Sequence, residues 1–285
     1  MTSLPAGKHA HAALNPLHSL IYFAPEAEEE FVAAGLEKGR MSYFAGRAAA
    51  MGPVGAGVVT ATFYNFSPAL VARHIPRAWT LASPEALRSA RLKAVDRVLR
   101  RLLAEDVAAD PEVGEAGRLA LTAAEACGAA GRPLYAGHAD LPTPEQPHLA
   151  FWHALTLLRE YRGDGHLAAL SAAGLDGLEA LITHTATGQG FTADFAQQSR
   201  GWSQEEWDAA IERLRGRGLL GADGELTRRG TELRCEVEET TGRLAQAPYD
   251  HLGQTGTERL AEIGGRLAGT ALANGAFPPG VFARG

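Results

Sequence analysis

Cysteine is almost missing from this chain: Cys127 and Cys235 are the only two in 285 residues. Two so far apart make neither a disulfide framework nor a zinc-ligand spacing, so each reads as a structural thiol in a reducing compartment. Long apolar runs are also missing. None approaches the ~18 residues of a membrane span, and "MTSLPAGKHAHAALNPLHSL" lacks the basic-then-apolar order of an export signal. A cytoplasmic location with no membrane partner is expected. Positive charge is scarce, with 27 Lys and Arg against 33 Asp and Glu and a net charge of −6. That balance disfavours general nucleic-acid affinity, which rests on neutralising phosphates, but leaves room for a local basic face. Signatures of chemistry are absent too: no H-E-x-x-H, no Walker loop, no G-x-S-x-G and no G-x-G-x-x-G. "GPVGAG" at Gly52 follows no strand signal and precedes no phosphate-binding lysine, and His9 and His11 read as incidental in a terminal tail. No metal site and no cofactor are expected.

What is present is an ordinary globular composition, 46% hydrophobic and 21% charged, in a chain long enough for two domains. Abundant Ala, Arg and Gly with sparse Lys suggest a GC-rich bacterial genome. Apolar residues recur at helical spacing almost throughout, broken by Gly, Pro and capping residues. The best strand signal is "GLLGADGELT", residues 218–227, where apolar residues flank Asp223-Gly224 and predict a short β-hairpin.

A set of landmarks recurs in order with an offset of roughly 120 residues. Pro25 answers to Pro144, Gly52 to Gly174, Phe66 to Phe191, Trp79 to Trp202 and Ser83 to Ser203. Each half therefore predicts a short helix opened by Ser67 or Thr192, a turn with a tryptophan, and a longer helix opened by Ser83 or Ser203. These hydroxyls suit N-caps, Pro68 and Pro84 sit where a missing N–H costs nothing, and Ser203 with Glu206 fits a capping box. Short helix, turn and long helix is the helix-turn-helix plan. The expected halves are residues 1–140 and 141–285.

In the second half, "IERLRGRGLLGADGELTRRGTELRCEVEE" resembles the end of the recognition helix, the wing and the "L-T-x-x-G" start of the dimerisation helix of MarR-like winged-helix regulators. The resemblance is close from Thr192 onward and reaches the first half only through the repeat. Stretches such as "ATFYNFSP" and "WHALTLLREYRGDGH" make the whole chain similar to an actinobacterial group with two fused helix-turn-helix halves, which brings no established activity. The resemblance implies a mainly α fold in which tandem winged-helix repeats form an intramolecular pseudo-dimer, with Asp223-Gly224 at the tip of a hairpin wing. Fusion would free the halves to diverge. A further homodimer is compatible with the sequence.

The halves differ where a DNA reader should be basic. The second long helix opens with Gln204, Glu205, Glu206, Asp208 and Glu212, good capping chemistry and poor phosphate chemistry. The first carries Arg88, Arg91 and Lys93, then Arg97, Arg100 and Arg101, which read either as a nucleic-acid face or as solvated surface paired with neighbouring acids.

If DNA reading is lost, a groove between helices is the natural place for a small ligand. Candidate lining residues fall in two stretches: Tyr43, Arg47, Phe63, Tyr64, Asn65, His74 and Trp79 in the first, and Trp152, His153, Arg159 and His166 in the second. For "ATFYNFSP", Phe63 and Phe66 read as core with Asn65 bonding the local backbone, or Tyr64-Asn65 orients a ligand. Arg47 has no acid at helical i±3 or i±4, so it faces either an anionic group or a distant acid. In "LLREYRGDGHLAAL", Gly163 suits a helix C′ position and Asp164 a cap for a helix starting near His166, so the stretch reads as a junction. The favoured reading is a sensor, carrier or sequestering protein for a small molecule of aromatic or apolar character. The alternatives are a regulator using the basic first-half helix, and an enzyme with His153 or His74 as general base beside a stabilising arginine.

Overall fold

The computed structural model of the chain describes residues 6–282. The outermost ends of the expected halves, 1–5 and 283–285, therefore lie outside the described residues. Two helices, α1 (Ala6–Ser19) and α2 (Pro25–Ala33), lead into α3 (Arg40–Ala48), α4 (Ala56–Phe63), α5 (Pro68–His74), α6 (Ala78–Leu81) and the long α7 (Pro84–Leu102). Then come α8 (Pro111–Ala124), α9 (Pro133–Ala139) and the central α10 (Pro147–Ala172). The chain ends with α11 (Gly177–Thr185), α12 (Ala193–Arg200), α13 (Gln204–Gly216), α14 (Arg228–Leu244) and α15 (Ala247–Ala273), the last kinked at Gly253. The protein is mainly α: among the described residues, extended pairing is limited to isolated bridges at Phe191–Phe282 and Leu220–Leu226. No described helix is long and apolar enough to cross a membrane.

Capping chemistry set most of the predicted helix starts. Ser83, Thr192 and Ser203 each accept an amide of their own first turn, and Ser203 with Glu206 completes a capping box. Ser67 stands at the N-cap of α5 without a side-chain bond; its amide instead donates to the Arg200 carbonyl.

Buried side chains form two main cores. The larger gathers α1 to α9, α10 as far as Tyr161, and part of α15. The smaller runs from Ala169 at the end of α10 to Val237 in α14. Tyr64 from the first half packs against the smaller core. Helix α10 is buried on nearly all sides along its first four turns, which explains its continuous apolar run.

Two local expectations are corrected. Gly163 and Asp164 do not end one helix and cap the next, because α10 runs unbroken through both. Asp164 turns inward and accepts the Tyr135 amide at 2.9 Å, capping α9 from a neighbouring helix. Gly165 lacks the Cβ that would collide with the Arg132 guanidinium, which passes over the Tyr161 ring to reach the Tyr161 and Leu244 carbonyls. Glycine's helix penalty of about 1 kcal/mol per residue is outweighed by this packing. The second correction concerns the hairpin wing, which is absent: a single bridge, Leu220–Leu226, closes a tight turn. Arg215 donates to the Gly221 and Ala222 carbonyls at 3.2 and 2.8 Å and folds the turn back on α13, so no ladder extends outward.

The glycine of "L-T-x-x-G" has a steric reason. A Cβ at Gly230 would overlap the Leu219 carbonyl oxygen, and Thr227 caps α14 by accepting the Gly230 amide at 3.1 Å.

Candidate functional site

The stretch Phe63–Ser67 fastens the two cores together. Tyr64 holds φ 49° and ψ −62° at the end of α4, and the Asn65 amide donates to the Phe63 carbonyl across it at 2.7 Å. This is a γ-turn of the strained hand, rare for a side chain larger than glycine and of a kind that costs about 1–3 kcal/mol. The surroundings hold it. The Tyr64 hydroxyl donates to the Leu175 carbonyl at 2.6 Å, and the Trp202 indole donates to the Asn65 carbonyl at 2.9 Å. The Ser67 amide reaches the Arg200 carbonyl, also at 2.9 Å.

Behind this clasp lies a cavity of about 500 Å³ between the larger bundle and the α11–α14 lobe. Its aromatic wall is a stack: Tyr43 packs against Phe63 at 6.0 Å and against Phe66 at 5.3 Å. Arg47 lies over Phe63 at 4.5 Å and Arg200 over Phe66 at 4.7 Å. Among the described residues, five arginines line the space, Arg47, Arg159, Arg162, Arg200 and Arg234, against three carboxylates, Glu160, Asp164 and Glu238.

The pairing among them is uneven. Arg47 holds both oxygens of Glu160, at 3.0 and 2.8 Å, and donates to the Tyr43 hydroxyl at 3.0 Å. Arg159 shares Glu160 at 3.2 Å. Burial would raise the Glu160 carboxyl, but Arg47 and Arg159 hold it down to about 2. Glu238 serves Arg162 at 3.0 Å and Arg234 at 3.2 Å. Burial likewise would raise Tyr43, and Arg47, Arg200 and Arg159 instead lower it. His166 bonds Thr241 at 2.8 Å and is lowered to about 4 by burial, which outweighs the pull of Glu238. His11 is lowered to about 3, by burial and then by Arg162 and Arg159. It lines the cavity from α1, so its dismissal as an incidental tail residue is corrected.

Asp164 behaves in the opposite sense: burial raises its carboxyl to about 6, only partly countered by the Tyr135 amide. Its charged form is disfavoured in the fold, so it costs stability as pH rises from about 4 through 6. Asp164→Asn keeps an oxygen for the α9 amides. Its advantage over the wild type should be absent near pH 4 and grow to at most about 3 kcal/mol at pH 7. Urea denaturation at both pH values checks this, and an advantage independent of pH would contradict it.

Of the expected ligand residues, Tyr43, Arg47, Phe63, Tyr64, Asn65, Arg159 and His166 line this cavity. The remaining four lie elsewhere. His74 stacks on Phe44 at 5.7 Å, and Trp79 donates its indole N–H to the Val54 carbonyl at 2.8 Å. Trp152 is buried in the larger core, stacked on His18 at 5.0 Å. His153 lines a separate, largely apolar cleft of about 220 Å³ with His138 and Arg91. Residues the sequence reading missed include Glu160, Arg200, Arg234 and His184. Arg47 was the available signal for Glu160, since an arginine without a local acid needs a distant one.

On the helices expected to meet DNA, most of the basic side chains are paired with acids or buried. On α13, Glu205, Glu206, Asp208 and Glu212 are exposed, while Arg213 and Arg217 bind Glu179 and Arg215 binds Glu212. On α7, Arg91 is buried, donating to the Gly46 carbonyl at 3.0 Å beneath Trp152. Arg88 pairs with Glu85 and reaches the Ala49 carbonyl, and Lys93 is exposed. Arg97 is held by Glu29 and Glu30, and Arg101 by Glu26. No group of metal-ligating side chains occurs among the described residues.

Compared with known proteins, residues 7–278 match the model of a family described as a helix-turn-helix family. No curated protein and no solved structure matches.

Proposed function

Because the chain belongs to this helix-turn-helix family, we propose that it keeps the family scaffold and uses it to bind a small molecule, as a sensor, carrier or sequestering protein. The observation that carries this reading is the cavity of about 500 Å³ to which both the bundle and the helix-turn-helix lobe contribute walls. Its size falls within the range of ligand sites, and it combines an aromatic wall with a few converging polar groups. An apolar or aromatic part of the ligand would lie against Phe63, Phe66 and Phe191. The tandem pseudo-dimer belongs to this proposal: α5 with α7 and α12 with α13 are the two copies of one helix pair, of which the first has been absorbed into the bundle. The acidic start of α13 and the internally paired arginines of α7 favour this reading over a DNA reader.

A ligand present at about 100 times its Kd stabilises the native state by about 2.7 kcal/mol. Native mass spectrometry of freshly purified protein, followed by thermal shift against a broad metabolite library, is expected to give a bound mass or a hit raising Tm by several degrees. Neither result in both assays would defeat the proposal. Tight binding of duplex DNA with a steep salt slope, lost in Arg88→Ala with Lys93→Ala, would replace it with the regulator.

A further inference from the structure

The charges of the seam cavity do not close on themselves. Glu160 is shared by Arg47 and Arg159, and Glu238 by Arg162 and Arg234. Asp164 is spent on the first amides of α9 rather than on an arginine. Arg200 has no carboxylate within ion-pair distance among the described residues, and its one side-chain partner is the hydroxyl of its neighbour Ser199, at 2.8 Å. Among the described residues, five guanidinium groups against three carboxylates leave two positive charges in excess.

Unused donors accompany that excess. Arg234 is 5% exposed, yet among the described residues its Nε and Nη1 have no partner, and Nε of Arg200 and of Arg47 are likewise unpartnered. Buried donors left unmade and buried charge left unpaired both destabilise a fold, so such an arrangement is kept where something else completes it. Guanidinium forks match the planar or tetrahedral oxygens of carboxylate and phosphate. Arg200 is also aimed: its guanidinium lies over Phe66 at 4.7 Å and Phe191 at 5.1 Å, and its carbonyl is tied to Ser67.

Resting on the ligand-binding reading above, we infer that the occupant of this cavity is a small dianion, a phosphate monoester or a dicarboxylate on an apolar or aromatic body, held by Arg200 and Arg234. Two excess charges are matched by two negative ones; a monoanion would leave one uncompensated.

Calorimetric titration of the full chain with phenyl phosphate, phthalate, benzoate and benzyl alcohol tests this. One of the two dianions is expected to bind at least about tenfold more tightly than benzoate, the gain of one further charge-assisted contact, and which one does so identifies the oxyanion. Arg200→Gln should lose about tenfold for that dianion, leave benzyl alcohol unchanged and raise the Tm of the ligand-free protein, because it removes an unpaired charge. Arg200→Lys, which keeps the charge and loses the fork, should fall between the two and serves if the Gln variant does not fold. Dianions binding no better than benzoate or benzyl alcohol would overturn the inference and leave the ligand-binding reading standing. If none of the four binds and no small molecule copurifies, both fall together.

Discussion

Glu160→Gln is expected to destabilise the protein by about 3–5 kcal/mol, the range found when one partner of a buried ion pair is removed and the other charge is stranded. The Glu160 side chain is 2% exposed and that of Arg47 11%, so bulk solvent screens neither effectively. Glutamine keeps the volume and one acceptor, which isolates the charge as the cause. The pH dependence carries a sign. A carboxyl held at about 2 in the fold contributes stability that is complete above its unfolded value near 4.3. That stability is lost as pH falls through the folded value. The gap between wild type and variant should thus be constant from pH 5 upward and close only toward pH 2. Urea denaturation at pH 7 and pH 3 measures it. Replacing Arg47 by Met together with Glu160 by Leu should recover much of the loss, because the guanidinium then left without a carboxylate, Arg159, is 28% exposed and keeps its bond to Asn15. A loss below about 1 kcal/mol for the single variant would mean that Arg47 finds water in the cavity.

How far the sequence reveals this arrangement depends on the span of the interaction. Caps act within one turn, and Ser83, Thr192 and Ser203 could be read directly. The lobe's helix-turn-helix was legible for the same reason, as was the aromatic character of Phe63 and Phe66. Glu160 was not, since an acid inside "LLREYRGDGH" looks solvated until its partner 113 residues away is known. Gly163-Asp164-Gly165 has turn composition, yet helix α9 supplies the amides that Asp164 needs and Arg132 fills the space that Gly165 leaves. Tertiary contacts outvote local preference there. The wing failed as an expectation because Asp223-Gly224 does encode a turn but says nothing of Arg215, which draws its carbonyls back onto α13. The cavity itself takes side chains from α1, α3, α4, α9, α10, α11, α12 and α14, and no local pattern in the sequence assembles those into one surface.

The clasp yields the other large effect. Gly177 opens α11 inside a capping box of Asp176 and Glu179, and a Cβ there would overlap the carbonyl oxygen of Tyr64. Backbone cannot swing aside as a flexible side chain can. Tyr64 is fixed on one side by its strained γ-turn and on the other by its hydroxyl bond to the Leu175 carbonyl. Gly177→Ala must therefore push α11 off the bundle or break the turn, and is expected to cost about 3 kcal/mol or more, the upper end of overpacking penalties. Helix propensity alone would predict the reverse sign, since alanine is favoured over glycine by about 1 kcal/mol in a helix. Gly163→Ala provides that contrast: its Cβ would meet only the end of Glu160, at 3.5 Å, and should stabilise by about 0.4–1 kcal/mol. Because the Trp202 indole is bonded to the Asn65 carbonyl across the same seam, opening of the clasp should also shift its fluorescence. It should weaken ligand binding as well, since Arg200 is tied to Ser67 at the same point. Gly177→Ala at wild-type stability and with unchanged emission would mean that the two bodies are not fastened through Tyr64, and the cavity would then have to be closed by other contacts.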